Sequence, residues 1–349
     1  MLAMDSANWS SIEMEGAEMP GSLERPDTAE TAHEWALVLA AGEGSRLRQL
    51  TTMASGIAVP KQFCSLAGGT SLLYDTLRRA QVIAPAQRTV AIVSGAHRRW
   101  WCSLAQLLPD SNIVVQPGNR GTAIGILLPL LSILQRDAEA VLIVLPSDHF
   151  VGDEGVLADA TRQAMSHARS MPALVLLGFT PEDSDPELGY IVVRETPATD
   201  VLEVSEFVEK PDPVSAGFLM QRGALWNSFI FAIRARVLLQ TFMQLIPGIV
   251  AEMADVVRQS GPDALRAARL ARLYVQLPNI DFSRDVMRRH PHLLRVLRVP
   301  ACGWSDLGTP RRVADALRRG GRGKARAGPP AHLAGFLDLE SQQLQARRA

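Results

Sequence analysis

Short, continuously apolar runs that alternate with helical periodicity constrain the fold of this chain more than any other feature. The runs are WALVLAA (35–41), TVAIVS (89–94), NIVVQ (112–116), AVLIVLP (140–146) and ALVLLGF (173–179). Runs this short, with little polar alternation, are buried on both faces, which a sheet covered by helices provides. Helical patterns follow from about Ser71, through Trp100 and Leu107, from about Thr122 and from about Glu154. The expected fold is therefore α/β and Rossmann-like, with a mixed, mainly parallel sheet and helices on both faces. Beyond Phe179 the pattern changes. GYIVV (189–193) and VLEVSEFVEK (201–210) read as a hairpin or meander, and LWNSFIFAI (225–233) as a further strand. The segment 235–290 reads as mostly helical, LLRVLRVP (293–300) as a strand, and a last helix starts near Pro310.

Composition narrows the function classes. Lys and Arg total 36, as do Asp and Glu, so no global field attracts nucleic acid or a membrane surface, and any anion site must be local. The three cysteines, Cys64, Cys102 and Cys302, form neither a CxxC nor an even set, which suggests neither a disulfide framework nor a zinc cluster. No apolar run approaches the roughly 20 residues that span a bilayer, no signal directs export, and a cytoplasmic location is expected. Residues 1–33 are expected to be a flexible leader, 34–317 the folded domain, and 318–349 a basic Gly/Arg/Pro linker with a short tail.

The first strand runs into a glycine-rich turn, and the stretch Leu39–Phe63 reads LAAGEGSRLRQLTTMASGIAVPKQF. Gly42 and Gly44 allow backbone amides to approach a phosphate, and Arg46 and Lys61 bring positive charge to the same place. A dinucleotide fingerprint would need a third glycine, but Ser45, Arg46 and Leu47 follow Gly44. No Walker A loop is present, since the tail's GGRGKA has Ala325 where a hydroxyl is required. Three further strand ends carry polar clusters: QPGNRGTA (116–123), PSDH (146–149) and FVEKPD (207–212). Ligands of open α/β sheets lie at such ends.

With AAGEGSRL, PKQF, QPGNRGTA, PSDH, LGYI, FVEKPD, WNSFIF, NIDFSRDVM (279–287) and WSDLG (304–308) in this order, the chain resembles the sugar-1-phosphate nucleotidyltransferases over roughly residues 35–315. Within that family the resemblance is greatest to the mannose-1-phosphate guanylyltransferase (GDP-mannose pyrophosphorylase) branch. It implies transfer of a nucleotidyl group from an NTP, GTP by this branch, to a hexose 1-phosphate such as mannose 1-phosphate, with release of pyrophosphate. Asp148 and Asp306 resemble the family's Mg²⁺ ligands, and two carboxylates with phosphate oxygens suit that ion. Read on their own, Asp148 also suits a cap of the next turn and Asp306 a cap of the helix after Gly308.

The resemblance assigns catalysis to Arg46, Lys61, Asp148, Lys210 and Asp306. Nucleotide binding falls to Ala41, Gly42, Gly44, Gln116, Asn119, Arg120, Gly121 and Thr122, with amides suited to a base edge and Arg120 to phosphate. Gly121 and Thr122 also suit the start of a helix. Sugar-phosphate binding falls to Gly189, Tyr190, Glu209, Lys210, Asn227 and Asp281, although Asn227 also suits a strand end. His149 reads as structural, because a sugar phosphate with a second pKa near about 6 is already mostly dianionic and needs no base.

The chain departs from the family pattern in several places. TTMASGIAV lengthens the path to PKQF, Gln49 stands where a proline is usual, AIGI follows Thr122, and Phe229 replaces a small residue after Asn227-Ser228. The length after Ala331 leaves no room for the isomerase domain of longer relatives, so a single activity is expected. Substrates NTP and sugar 1-phosphate, no nucleic acid or membrane partner and a homo-oligomer complete the expectation. The alternatives are a related transferase with another sugar or base, or a catalytically weak regulatory homologue that binds nucleotide sugar.

Overall fold

The computed structural model describes residues 31–52, 56–65, 70–194, 200–259 and 263–320. Most of the expected leader and tail lie outside these. Strands β1 (Glu34–Ala40), β2 (Thr89–Ser94), β3 (Ile113–Gln116), β4 (Val141–Pro146) and β5 (Leu174–Phe179) fall on the apolar runs. They are followed by β6 (Tyr190–Arg194), β7 (Val201–Val208), β8 (Leu225–Arg234) and β9 (Leu294–Val299). The helices are α1 (Leu72–Gln81), α2 (Arg98–Trp101), α3 (Thr122–Arg136), α4 (Glu154–Ser170), α5 (Pro213–Gln221), α6 (Ala235–Leu245), α7 (Pro247–Arg258), α8 (Asp263–Gln276) and α9 (Pro310–Gly320).

Alternation along the strands divides the core in two. Ala36, Val38, Ala91, Val93, Ile143 and Leu145 pack with α1 and α4 on one face, whereas Leu37, Val90, Ile92, Leu142 and Val144 pack with α3, α6 and α7 on the other. Period-two alternation in an all-apolar strand is how one run serves two helical layers. Helices on both faces are therefore as expected. Helix starts follow local chemistry: Ser71 caps α1, Asp212 caps α5 ahead of Pro213, and Asp153 caps α4 through Gly155 N (3.0 Å) and Val156 N (3.1 Å). The helix expected through Trp100 and Leu107 is shorter. The single turn α2 passes into a 3-10 turn, Cys102–Gln106, where Trp101 is buried and its indole donates to the Ser94 carbonyl at 2.7 Å.

The nine strands form one sheet in the order β3-β2-β1-β4-β8-β5-β9-β7-β6. Pairings β1–β2, β1–β4, β2–β3 and β5–β9 are parallel, but β4–β8, β5–β8, β6–β7, β6–β8 and β7–β9 are antiparallel. The sheet is mixed, as expected, but with four parallel and five antiparallel pairings among the described residues it is not mainly parallel. The reason is β8, which enters between β4 and β5 in the opposite sense, together with β7, which runs against β9; an apolar run carries no mark of its direction. Register makes this reversal useful. Gly178 of β5 faces Asn227 of β8, Tyr190 faces both Val208 and Trp226, and Phe179 faces Val299. One sheet edge therefore collects the carboxyl ends of β1, β3, β4, β5, β7 and β9 with the amino ends of β6 and β8.

Asp153→Ala, which removes the α4 cap, is expected to cost about 1 kcal/mol. Urea denaturation checks it, and an unchanged midpoint would show that the cap contributes nothing.

Candidate active site

The turn after β1 is held by a residue to which the sequence motifs gave no role. Gln62, buried in the 3-10 turn Lys61–Phe63, donates through Nε2 to the carbonyls of Ala40 (3.0 Å) and Gly42 (2.8 Å). The two glycines have separate reasons. Gly44 has φ +60° and a Cβ there would lie 2.8 Å from Lys61 N, whereas a Cβ on Gly42 would meet nothing within 4 Å. Gly44 is needed for packing against the PKQF turn; Gly42 and the half-buried Ala41 leave a face open to a ligand. The lengthened loop is pinched at its base, where Thr52 and Ala58 form an antiparallel bridge and Val59 N donates to the Thr51 carbonyl at 2.9 Å. Arg46 reaches Glu187 at 3.3 Å, both about half exposed.

Lys61 is the centre of this region. Its buried ammonium lies 2.8 Å from Asp148 Oδ2 and donates to the Asp306 carbonyl at 2.5 Å. Burial alone would raise the Asp148 pKa, but Lys61 holds it below the ordinary carboxylate value. A two-residue ladder brings the aspartate turns together: Phe150 and Ser305 form a reciprocal backbone bridge, and Gly152 N donates to the Cys302 carbonyl at 2.9 Å. Trp304 stacks on Phe179 at 4.8 Å and donates its indole N–H to His149 Nδ1 at 3.3 Å. Because an indole only donates, His149 carries its proton on Nε2, 3.7 Å from Asp148 Oδ1. Burial pushes this imidazole down to about 4, which leaves it neutral at neutral pH.

Asp306 sits in a strained turn. Leu307 has φ +50°, and a Cβ on Gly308 would lie 2.6 Å from Asp306 Oδ2. Asp306 Oδ1 accepts from Gly308 N at 3.0 Å and from Arg312 of α9, so Asp306 closes its own turn, while the start of α9 is capped by Thr309, whose Oγ1 accepts from Arg312 N at 3.3 Å. Oδ2 makes no hydrogen bond among the described residues. No group of three or more His, Cys, Asp or Glu side chains clusters for a metal among the described residues. Even so, the donor set fits a hard divalent cation: Asp148 Oδ2 and the Asp306 carbonyl already converge on one positive centre, and Asp306 Oδ2 remains to be satisfied.

At the end of β3, Gln116 is buried with Oε1 unpartnered. Asn119 Oδ1 accepts from Gly121 N at 3.0 Å, and Gly121 precedes α3 with φ +85°. The cap of α3 is Gly121, not Thr122, whose Oγ1 instead accepts from Phe282 N at 2.8 Å. Ile280 N donates to the Arg120 carbonyl and Ala123 N to the Ile280 carbonyl, both at 3.0 Å, so this loop is stitched to the Asp281 segment. Arg120, expected to suit phosphate, is bonded to backbone. Its Nε donates to the Tyr274 carbonyl (2.5 Å) and Nη2 to the Val275 carbonyl (3.2 Å), so the guanidinium satisfies the open carbonyls at the end of α8.

On the opposite side, Gly189, Glu209 and Asn227 converge. A Cβ on Gly189 would lie 2.8 Å from Glu209 Oε2 and 3.4 Å from Asn227 Cβ, so any larger residue would displace the Glu209 carboxylate. Burial, and then the Asp281 carboxylate, push the Glu209 pKa up, while Lys210 and Arg46 oppose the shift. Lys210 has φ +46°, and Asn227 Oδ1 accepts from the N–H of Phe229, itself at φ +58°. Asp281 caps the π-helical turn Phe282–Met287 through Arg284 N at 2.8 Å. Tyr190 is not brought to the cleft: its ring is fully buried and its hydroxyl donates to the Asp185 carbonyl at 3.1 Å.

A Cβ on Gly121 would lie 2.2 Å from the Ile280 carbonyl oxygen, with φ unfavourable as well. Gly121→Ala is therefore expected to destabilise the fold by about 3 kcal/mol. A chemical-denaturation midpoint equal to that of the wild type would show that the two segments do not approach this closely.

Comparison with known proteins agrees with this geometry. The family described as Nucleotidyl transferase matches residues 35–319. Mannose-1-phosphate guanylyltransferase RfbM of Salmonella typhimurium is 32% identical over 78% of this chain and 56% of its own length. Xanthan biosynthesis protein XanB of Xanthomonas campestris is 30% identical over 84% of this chain and 61% of its own. The chain thus spans a little over half the length of these relatives. A crystal structure titled mannose-1-phosphate geranyltransferase, from Thermus thermophilus, superposes with a TM-score of 0.70 at 27% identity, covering 82% of this chain and 79% of that one. The matched span takes in all nine strands of the described residues except Glu34, the first residue of β1, and the chain belongs to the nucleotidyl transferase family.

Proposed function

We propose that the domain spanning residues 34–317 transfers a guanylyl group from GTP to mannose 1-phosphate, giving GDP-mannose and pyrophosphate. The observation that carries this reading is the convergence of Asp148 and Asp306 on the buried ammonium of Lys61, beside an open glycine turn. A site of this kind neutralises phosphate charge on a rigid frame. Across the sheet edge, Glu209, Asn227 and Asp281 offer acceptors and an amide suited to sugar hydroxyls. The relatives named for mannose 1-phosphate and guanylyl transfer support the choice of sugar and base.

In the reaction, an oxygen of the sugar phosphate attacks the α-phosphorus in line. The new bond is oxygen to α-phosphorus; the bond from α-phosphorus to the bridging oxygen breaks, and pyrophosphate leaves with the electron pair. The chain contributes position and charge rather than proton transfer. Lys61 and Arg46 would balance the leaving pyrophosphate, Lys210 would orient the incoming phosphate, and Gly42 would let a backbone amide approach the triphosphate. Asp148 and Asp306 would hold Mg²⁺, which supplies neutralisation of phosphate oxygens when bound. His149, neutral and bonded to Trp304, keeps the Asp148 side of the site in place and takes no proton. No helix among the described residues is long and apolar enough to cross a membrane.

Pyrophosphate release with Mg²⁺, crossing GTP, ATP, UTP and dTTP against several hexose 1-phosphates, tests the reading. Turnover is expected to be greatest with GTP and mannose 1-phosphate, and absence of turnover with every pair would overturn it. Lys61→Ala is expected to lower kcat/KM by about 10²–10³-fold. Unchanged kinetics in that variant would remove Lys61 from the chemistry.

A further inference from the structure

Helix α9 lies against three parts of the cleft at once. Its Val313 and Ala316 are buried with Leu47 from the signature turn, Leu72 of α1 and Leu307 of the Asp306 turn, with Leu50, Phe150 and Leu317 packed alongside. Its arginines face the acidic loop that leads into Gly189: Arg311 meets Asp183 at 2.9 Å, Arg312 meets Asp185 at 2.7 Å and Arg319 meets Glu182 at 2.8 Å. The first and last of these pairs are substantially exposed and contribute little to stability. The Arg312 pair differs, because the side chains of Arg312 and Asp306 are each 12% exposed and that of Asp185 17%.

Arg312 uses its fork to join two carboxylates. Nη1 donates to Asp306 Oδ1, whereas Nη2 forms an ion pair with Asp185 Oδ2 at 2.7 Å without hydrogen-bond geometry, and Nε has no hydrogen-bond partner among the described residues. Asp185 is fixed in turn: its backbone N–H donates to the Tyr190 hydroxyl at 2.9 Å, its carbonyl accepts from that hydroxyl at 3.1 Å, and its Oδ1 accepts from Glu187 N at 2.8 Å. On the other side, Asp306 Oδ1 accepts from both Arg312 and Gly308 N, which fixes the carboxylate plane and leaves Oδ2 without a hydrogen bond among the described residues. The cost of burying this guanidinium is offset by the two carboxylates that flank it, Asp306 and Asp185.

We propose that Arg312 is a positioning residue that aims Asp306 Oδ2 at a bound divalent cation and locks that aim to the loop preceding Gly189. This inference rests on the reading of Asp306 as a cation ligand under Proposed function. Lysine keeps the charge but cannot span two carboxylates, whereas methionine removes the charge and keeps much of the volume. The pair therefore separates aim from electrostatics. If Arg312 acted only as a nearby positive charge, methionine would tighten cation binding by relieving repulsion and lysine would change nothing. If it aims the carboxylate, lysine weakens binding.

The test is Mn²⁺ titration of the full chain by electron paramagnetic resonance, with steady-state kinetics at saturating Mg²⁺ and a melting temperature for each variant. Arg312→Lys is expected to weaken Mn²⁺ binding and to lower kcat, each by about 10-fold, as loss of support around a metal ligand typically does. Arg311→Lys, at an exposed pair, is expected to match the wild type in all three. Wild-type Mn²⁺ affinity in Arg312→Lys, or tighter binding in Arg312→Met with Arg312→Lys unchanged, overturns the proposal. Should Arg312→Lys not fold, Asp185→Asn decides: weaker Mn²⁺ binding supports the lock, and wild-type affinity refutes it. A wild-type protein that turns over while Arg312→Lys is unaffected sinks only this inference. One that neither turns over nor binds Mn²⁺ sinks the functional reading together with it.

Discussion

The buried ammonium of Lys61 is the interaction on which the cleft depends. Taking an ammonium out of water costs several kcal/mol, and only well-placed acceptors offset that cost. Asp148 and the Asp306 carbonyl are those acceptors, and they come from turns 158 residues apart in sequence. Each fixes the other through Lys61. The Phe150–Ser305 ladder, the Trp304 stack on Phe179 and the Gln62 bonds to the glycine turn hold the partners at the right separation. Loss of any of these would leave a charge or a backbone group without its partner, so the anion-facing half of the cleft behaves as one unit.

The sheet accommodates a reversed strand in its middle without dispersing the cleft-lining residues. In a wholly parallel sheet the functional turns would all follow carboxyl ends of strands. Here β8 runs against β4 and β5, so its amino-terminal half, with Asn227, reaches the same edge as the carboxyl ends of its neighbours. Direction changes which end of the strand carries the polar residue but not the edge at which it arrives. The motifs therefore gather at one edge, as their positions after strands imply, in a sheet less parallel than the apolar runs suggest.

Features decided within a few residues were legible in the sequence, and features decided by distant partners were not. Ser71, Asp153 and Asp212 as helix starts follow from side chains that reach their own backbone. Gly44 was legible as a special backbone position, but its reason, the approach of Lys61 N, was not. Arg120 looked like a phosphate ligand because it sits between a glycine and an asparagine after a strand. Its partners are the carbonyls of Tyr274 and Val275, 154 and 155 residues away. Gln62 and Arg312 carried no local signal at all: one is a glutamine beside the lysine that drew attention, the other one arginine among several in an amphipathic helix. Tyr190 shows the converse, a residue in a recognisable motif whose ring belongs to the core.

The two halves of the cleft have opposite electrostatic character, and this bears on how two anionic substrates can be oriented. Near the glycine turn, acidic side chains are already matched by Lys61 and Arg312, so added phosphate charge requires further cations. Across the edge, Glu209 is pushed up by burial and by Asp281, which means that its carboxylate lacks sufficient donors in the free protein. Sugar hydroxyls are neutral donors and would relieve that shortage without adding repulsion, whereas a phosphate placed there would meet two carboxylates. Lys210 and Arg46, both close enough to lower the Glu209 pKa, mark the boundary between the halves. A sugar phosphate entering with its ring toward Glu209 and its phosphate toward that boundary satisfies both sides, and the reverse orientation satisfies neither.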